Sequence, residues 1–174
     1  MRISELLLPE FDTEMGVTRK ILERVPDGDG KGEWKPHPKS FMLAHLAQLV
    51  ARLPGWVPMI TDKSEFDIAP PGGSTQGGYT IEKTAVLLDM FDKGAKTGRE
   101  AIARMTDEEF QVPWHFKRGG EVVMTQPKYV MLRSMALNHI VHHRAQLGLY
   151  LRMLDEKVPS MYGPTADDKP LNQK

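Results

Sequence analysis

A chain of 174 residues with 40% apolar residues is long enough for one domain with a buried core and short for two. Its 23 lysines and arginines balance 23 aspartates and glutamates, so it carries no electrostatic footprint for nucleic acid or an anionic membrane surface. With no cysteine, a disulfide framework, a thiolate metal site and a cysteine nucleophile are all excluded, and any metal must be held by nitrogen and oxygen.

The amino terminus enters an amphipathic pattern at once, without an apolar run ending in a cleavage site, and no stretch approaches a membrane span, so a cytoplasmic protein is expected. Ser4 is placed to cap a first helix in which Leu7, Phe11, Met15, Thr18, Ile21, Leu22 and Val25 recur at three- and four-residue steps up to Pro26. The alternation of acids and glycine from Asp27 to Glu33 lacks the later ligands and closing glutamate of a calcium loop and reads as a turn. Trp34 to Pro38 is extended, because residues before proline leave the helical region. Ser40 is the expected cap of a second helix, with Met42, His45, Leu46, Leu49 and Leu53 on one face; Pro54 and Gly55 break it, and Trp56 to Thr61 forms a further turn.

Asp67 to Tyr79 reads as the longest structureless run, and its glycines do not match a phosphate-cradling pattern. Thr80 is expected to cap a third long helix from Ile81 to Met105, and Thr106 to Glu109 starts a short turn. Between Val112 and Thr125 the pattern becomes a small hairpin, near Trp114 to Val123, with Gly119 and Gly120 supplying positive φ at its tip. Pro127 opens a final helix that runs from Lys128 to Asp155. The extended tail from Val158 to Pro164 should pack back on the helices. Residues 1–166 then form a single domain and 167–174 a disordered tail. Four helices joined by loops point to an all-α four-helix bundle, a fold that builds metal sites from side chains on facing helices.

On the final helix Leu132, Met135, Ala136, His139, His143, Leu147, Tyr150 and Leu154 share one face, so two imidazoles lie within an apolar stripe. At i and i+4 they aim at one point, the spacing at which a single ion can take both. His45 lies on the core stripe of the second helix. If the two helices face each other, His45, His139 and His143 converge as three neutral imidazoles with an open fourth position, a set that suits zinc and that nickel or ferrous iron also accept. His142 falls at the edge of this face and reads as a neighbour of the site or an interface residue, while His37 and His115 read as solvated loop residues. Of the flanking polar groups, Asn138 and Arg144 fall toward an interface or the periphery of the site. Gln146 and Tyr150 fall on the inner face and lead as substrate contacts, and Arg144 is a weaker candidate for answering an anionic group. A second apolar edge, Met131, Leu149 and Met153 beside His142, is where a homodimer would form.

The run His139-x-x-His142-His143-Arg144-Ala145-Gln146-Leu147 with Tyr150-Leu151-Arg152, an upstream His45, and Val158-Pro159-Ser160-Met161-Tyr162-Gly163-Pro164 near the end resembles the DinB-like (YfiT-like) family of metalloenzymes over nearly the whole chain. The resemblance implies an up-and-down bundle, often dimeric, with a three-histidine site for zinc or nickel carried here by His45, His139 and His143. It also implies relatives that are transferases and isomerases using low-molecular-weight thiols such as bacillithiol or mycothiol.

Three functions compete on this sequence. The leading expectation is a divalent-metal-dependent enzyme acting on a small molecule, as a thiol-dependent transferase or as a hydrolase. The second is a non-catalytic metal- or small-ligand-binding stress protein. In the third the histidines are a structural pin, which a fourth protein ligand would favour.

Overall fold

The computed structural model describes residues 1–27, 30–73, 79–80 and 82–168. In chain order the elements are α1 (Ile3–Leu22), α2 (Leu43–Arg52), α3 (Trp56–Asp62), β1 (Glu65–Asp67), α4 (Thr84–Arg104), α5 (Asp107–Gln111), β2 (Pro113–Arg118), β3 (Glu121–Pro127), α6 (Lys128–Met131) and α7 (Asn138–Met153). A π-helical segment, Leu132–Leu137, joins α6 to α7, so the last three run as one helix. The Asn138 amide there donates to the Arg133 carbonyl, five residues back. Such wide turns cluster at functional sites, and this one sits directly before His139.

The helices α1 and α2 each pack on both α4 and α7, which closes a ring of four rods around one core. Leu7 and Phe11 of α1, Leu46 and Val50 of α2, Phe91 and Ile102 of α4, and Leu147 and Leu151 of α7 meet there, all buried. Close approach of α4 depends on Gly98, where an added Cβ would lie 2.9 Å from the Pro54 carbonyl oxygen and 3.1 Å from the Phe11 ring. Among the described residues no helix is long and apolar enough to cross a membrane.

The molecule is mostly helical but not the all-α bundle expected from sequence, because the hairpin is part of a three-stranded sheet in the order β1-β2-β3. The hairpin itself forms as the sequence indicates, with Gly119 at φ 64° and Gly120 at φ 86°. What the local pattern missed is the parallel pairing of β1 with β2, which sets Glu65 opposite His115 and Asp67 opposite Lys117. Asp67 fixes this arrangement by accepting the amides of Gly119 (3.1 Å) and Gly120 (2.6 Å) at the hairpin tip. The expected structureless run therefore begins with a strand residue, and residues 74–78 of it lie outside the described residues.

None of the three expected helix caps holds, and in each case a distant acceptor takes over. Ser4 lies inside α1 with its hydroxyl buried and unpartnered, while the Ile3 amide donates to Asp107 Oδ1 (2.8 Å). Ser40 closes a turn, its amide donating to the His37 carbonyl (2.9 Å), and the Leu43 amide opening α2 donates to the Trp34 carbonyl (2.8 Å). Thr80 is held by Gln48 instead, and α4 begins at Thr84, whose amide donates to Asp27 Oδ1 (2.6 Å). Ile81, the expected first residue of that helix, lies outside the described residues.

The tail does pack back, with Val158 buried. Its end departs from expectation: Asp167 pairs with Arg152 (2.5 Å) and accepts the Val158 amide (2.8 Å), and Asp168 accepts the Ser160 hydroxyl (3.1 Å). These two residues are fastened to the domain, and 169–174 lie outside the described residues.

Candidate functional site

One turn apart on α7, His139 and His143 place their Nε2 atoms 2.9 Å from each other. Each ring is steered from its other side. His143 Nδ1 lies 2.8 Å from Gln146 Oε1, and His139 Nδ1 lies 3.3 Å from the Met135 carbonyl, which belongs to the π-helical segment. Carbonyl oxygens only accept, so with Nδ1 protonated on both rings the two Nε2 lone pairs face one another and call for a cation between them, whereas with one Nε2 protonated the same contact is a hydrogen bond. Burial holds both imidazoles below their ordinary pKa, outweighing the hydrogen bonds to the Met135 carbonyl at His139 and to Gln146 at His143, which push the other way. Two neutral imidazoles meeting lone pair to lone pair are the donor set a divalent cation takes, and carbonyl acceptors at Nδ1 are the usual support for such ligands.

Among the described residues His45 makes no hydrogen bond to either ring of the pair. Its ring is stacked between Phe41, at a centroid distance of 4.1 Å, and Tyr79, at 3.5 Å. Burial lowers its pKa and the Arg52 guanidinium lowers it further, so it too is neutral at pH 7. Among the described residues no group of three or more histidine, cysteine, aspartate or glutamate side chains is arranged to hold a metal ion. The residues thus fit a cation as a converging pair, with His45 beside that pair and engaged in the aromatic stack.

Together the stack and the pair form a wall between two chambers. On one side is a cavity of about 390 Å³ whose lining includes Leu49, Trp56, Met59, Phe66, Phe116 and Met135, with His139 in its wall. On the other, an open and more polar pocket of about 330 Å³ is lined by Lys39, Phe41, His142, His143, Gln146 and Tyr150. Phe41 faces one chamber and Tyr79 the other, with the His45 ring between them.

The remaining site candidates divide. Gln146 and Tyr150 line the polar pocket. Gln146 is also committed to histidines, with its Nε2 3.2 Å from His142 Nε2, and Tyr150 makes an edge contact with Trp34 at 5.4 Å. Arg144 is not in either chamber. One position beyond His143 on a helix turns it by about 100°, and it points to α1, 1% exposed, where it pairs with Glu14 (2.7 Å). Asn138 is exposed. His37 is exposed as expected, whereas His115 is half-buried on β2 with Nδ1 2.8 Å from the Thr125 hydroxyl. Of the expected dimer edge, Leu149 and Met153 are exposed but Met131 is fully buried.

Sequence reading missed Phe41, Arg52, Trp56, Phe66, Tyr79 and Phe116. Arg52 and Trp56 had a signal, since they continue the line of His45 and Leu49 at helical steps. The strand residues Phe66 and Phe116 had none, because only the β1-β2 pairing brings them together, with centroids 6.5 Å apart.

The sequence matches no protein-family model and no curated relative. Solved structures do resemble it. The crystal structure of a DinB-like protein from Bacillus cereus ATCC 10987 is 20% identical and superposes with a TM-score of 0.67 over 92% of this chain and 98% of that one. A DinB-like protein from Bacillus subtilis is 14% identical, with a TM-score of 0.64 over 91% of this chain and 99% of that one. The chain has the DinB-like fold, in agreement with the resemblance carried by its C-terminal motif.

Proposed function

We propose that this chain is a DinB-like enzyme that depends on a divalent metal, with zinc or nickel held by His139 and His143 and with His45 as the third ligand. The observation that supports this most is the His139–His143 pair, whose Nε2 atoms converge while both Nδ1 atoms face carbonyl acceptors. A bound ion of this kind supplies Lewis acidity, lowering the pKa of a water or a small thiol beside it. The leading reaction is transfer of a low-molecular-weight thiol to a small electrophile, with hydrolysis as the alternative. The protein needs no cysteine for this, since the thiol is a co-substrate.

The chain's own residues supply position and surroundings. Gln146 fixes the His143 ring and the Met135 carbonyl orients His139. The polar pocket with Gln146 and Tyr150 suits a water-soluble thiol, and the apolar chamber beyond the wall suits the acceptor while excluding water from it. Exposed Leu149 and Met153 are the residues on which a homodimer would be built.

A second reading is favoured by the bridge from Gln146 to His142. With the Gln146 amide reversed, its NH₂ donates to His143 Nδ1, His143 donates through Nε2 to His139, and the pair is a hydrogen-bonded pin that needs no ion. The two readings separate in one assay: the metal-loaded and metal-stripped protein with several biological thiols and a chromogenic aryl halide, where sulfur–carbon bond formation expels halide. Metal-dependent, thiol-saturable turnover supports the transferase, turnover with water alone moves the assignment to a hydrolase, and no metal-dependent turnover favours the pin or a binding module.

A further inference from the structure

We propose that the apolar chamber binds a small amphiphilic anion, an aromatic or medium-length alkyl body carrying one carboxylate or sulfonate, and that Arg52 reads its charge. This deepens the functional reading above and rests on it in taking this chamber as the acceptor side of the site. Trp56, Met59, Phe66, Phe116 and Leu49 offer almost wholly hydrocarbon and ring surface, in a volume suited to a compact ligand. Among the described residues Arg52 is the only formally charged side chain in the lining.

Arg52 is half-buried, and its guanidinium lies 5.1 Å from the centroid of the Tyr79 ring. Arg19, Arg99 and Arg152 are paired with carboxylates, whereas among the described residues no ion pair joins Arg52 to one, as is also the case for Arg24 and Arg118, which lie outside the chamber. A ring face engages the cation and leaves the in-plane N–H donors of the fork for an acceptor. A monoanion answers that fork while its apolar body covers the walls. A neutral apolar molecule leaves the fork unanswered, and a dianion carries a second charge into hydrocarbon surroundings. Lining the same cavity, His139 brings such a ligand alongside the histidine pair.

The test uses the full chain, stripped of metal, and isothermal titration with 2-naphthoate and its uncharged isostere 2-naphthalenemethanol. A charge-assisted bond made in a sheltered site predicts about tenfold tighter binding of the naphthoate. Arg52→Gln should remove that preference, weakening naphthoate about tenfold and the alcohol by less than about twofold, and Arg52→Lys should restore part of it. Met59→Trp, which fills the chamber, should weaken both ligands and keeps the proposal testable if Arg52→Gln unfolds. Equal affinity for the two ligands, an equal loss of both in Arg52→Gln, or no effect of Met59→Trp would overturn it. Because the protein is metal-free, failure here leaves the metal assignment standing, and failure of metal binding leaves this result standing.

Discussion

The Nε2 atom of His143 lies 2.9 Å from that of His139, and the Nδ1 atom of His143 lies 2.8 Å from Gln146 Oε1. This relationship changes what Gln146 does. Sequence position makes it a candidate substrate contact; in the structure its side chain also orients the His143 ring.

Gln146→Ala should therefore weaken zinc binding about tenfold or more, the usual consequence of removing a group that orients a metal ligand. Gln146→Glu, which keeps an acceptor at His143 Nδ1, should retain most of the affinity. A competition titration against a chromophoric chelator reads both. Tyr150→Phe, by contrast, should leave affinity unchanged, because Tyr150 packs against Trp34.

Arg144 belongs to stability. It pairs with Glu14, donates to the Thr18 hydroxyl (3.0 Å) and to the Tyr162 hydroxyl (2.6 Å), and Tyr162 in turn donates to the Glu14 carboxylate (2.8 Å). Arg144→Ala leaves Glu14 buried without its countercharge and should cost about 3 kcal/mol in urea unfolding. The double variant Arg144→Met, Glu14→Leu should recover much of that loss, because it removes both charges together.

Two glycines in helices should respond in opposite directions. Gly98→Ala pushes a methyl into the Pro54 carbonyl and the Phe11 ring and should destabilise the domain by about 1–3 kcal/mol. Gly16 of α1 has open space where a Cβ would go, so Gly16→Ala should stabilise by about 0.5–1 kcal/mol through helix propensity. Paired unfolding curves in urea check both signs.

Acid should loosen the start of α4. The Thr84 amide, and then its hydroxyl, donate to Asp27 and hold its carboxyl below the ordinary value of 3.8. The native carboxylate thus keeps its charge to lower pH than the unfolded one. Its contribution is fully present above about pH 4 and is lost as pH falls through the lower native pKa. Asp27→Ala should cost about 1 kcal/mol at pH 7, by analogy with other helix caps. The difference from wild type should shrink as pH is taken below 3.8. A constant difference down to acid pH would contradict this role.

Periodicity made much of the inner stripe of the last helix legible: Leu132, Ala136, His143, Leu147 and Tyr150 are buried, and Met135, His139 and Leu154 are half-buried. Ile140, Arg144 and Leu151 outside the stripe are buried as well, because this helix is covered on more than one side. It also turned His45 toward the core. What periodicity cannot give is the orientation of the His45 ring, which Phe41 from its own helix entry and Tyr79 from a distant loop decide by stacking. The turn of the helix already carries Arg144 away from the inner face, and the structure buries it against Glu14 of α1 and not beside an anionic ligand. The caps failed for a related reason: Asp107, Asp27 and the Trp34 carbonyl are remote in sequence, and local signals at Ser4, Ser40 and Thr80 say nothing of them.

Zinc binding by tag-free protein, measured by chelator competition for the wild type and for His45→Ala, His139→Ala, His143→Ala and His115→Ala, decides whether the three histidines hold one ion. If they do, about one ion per chain is expected for the wild type and for His115→Ala, with a loss of affinity of at least about a hundredfold in the other three, each of which would remove one of three proposed protein donors. Full occupancy in His139→Ala or His143→Ala would contradict the site, and wild-type affinity in His45→Ala would remove the third ligand.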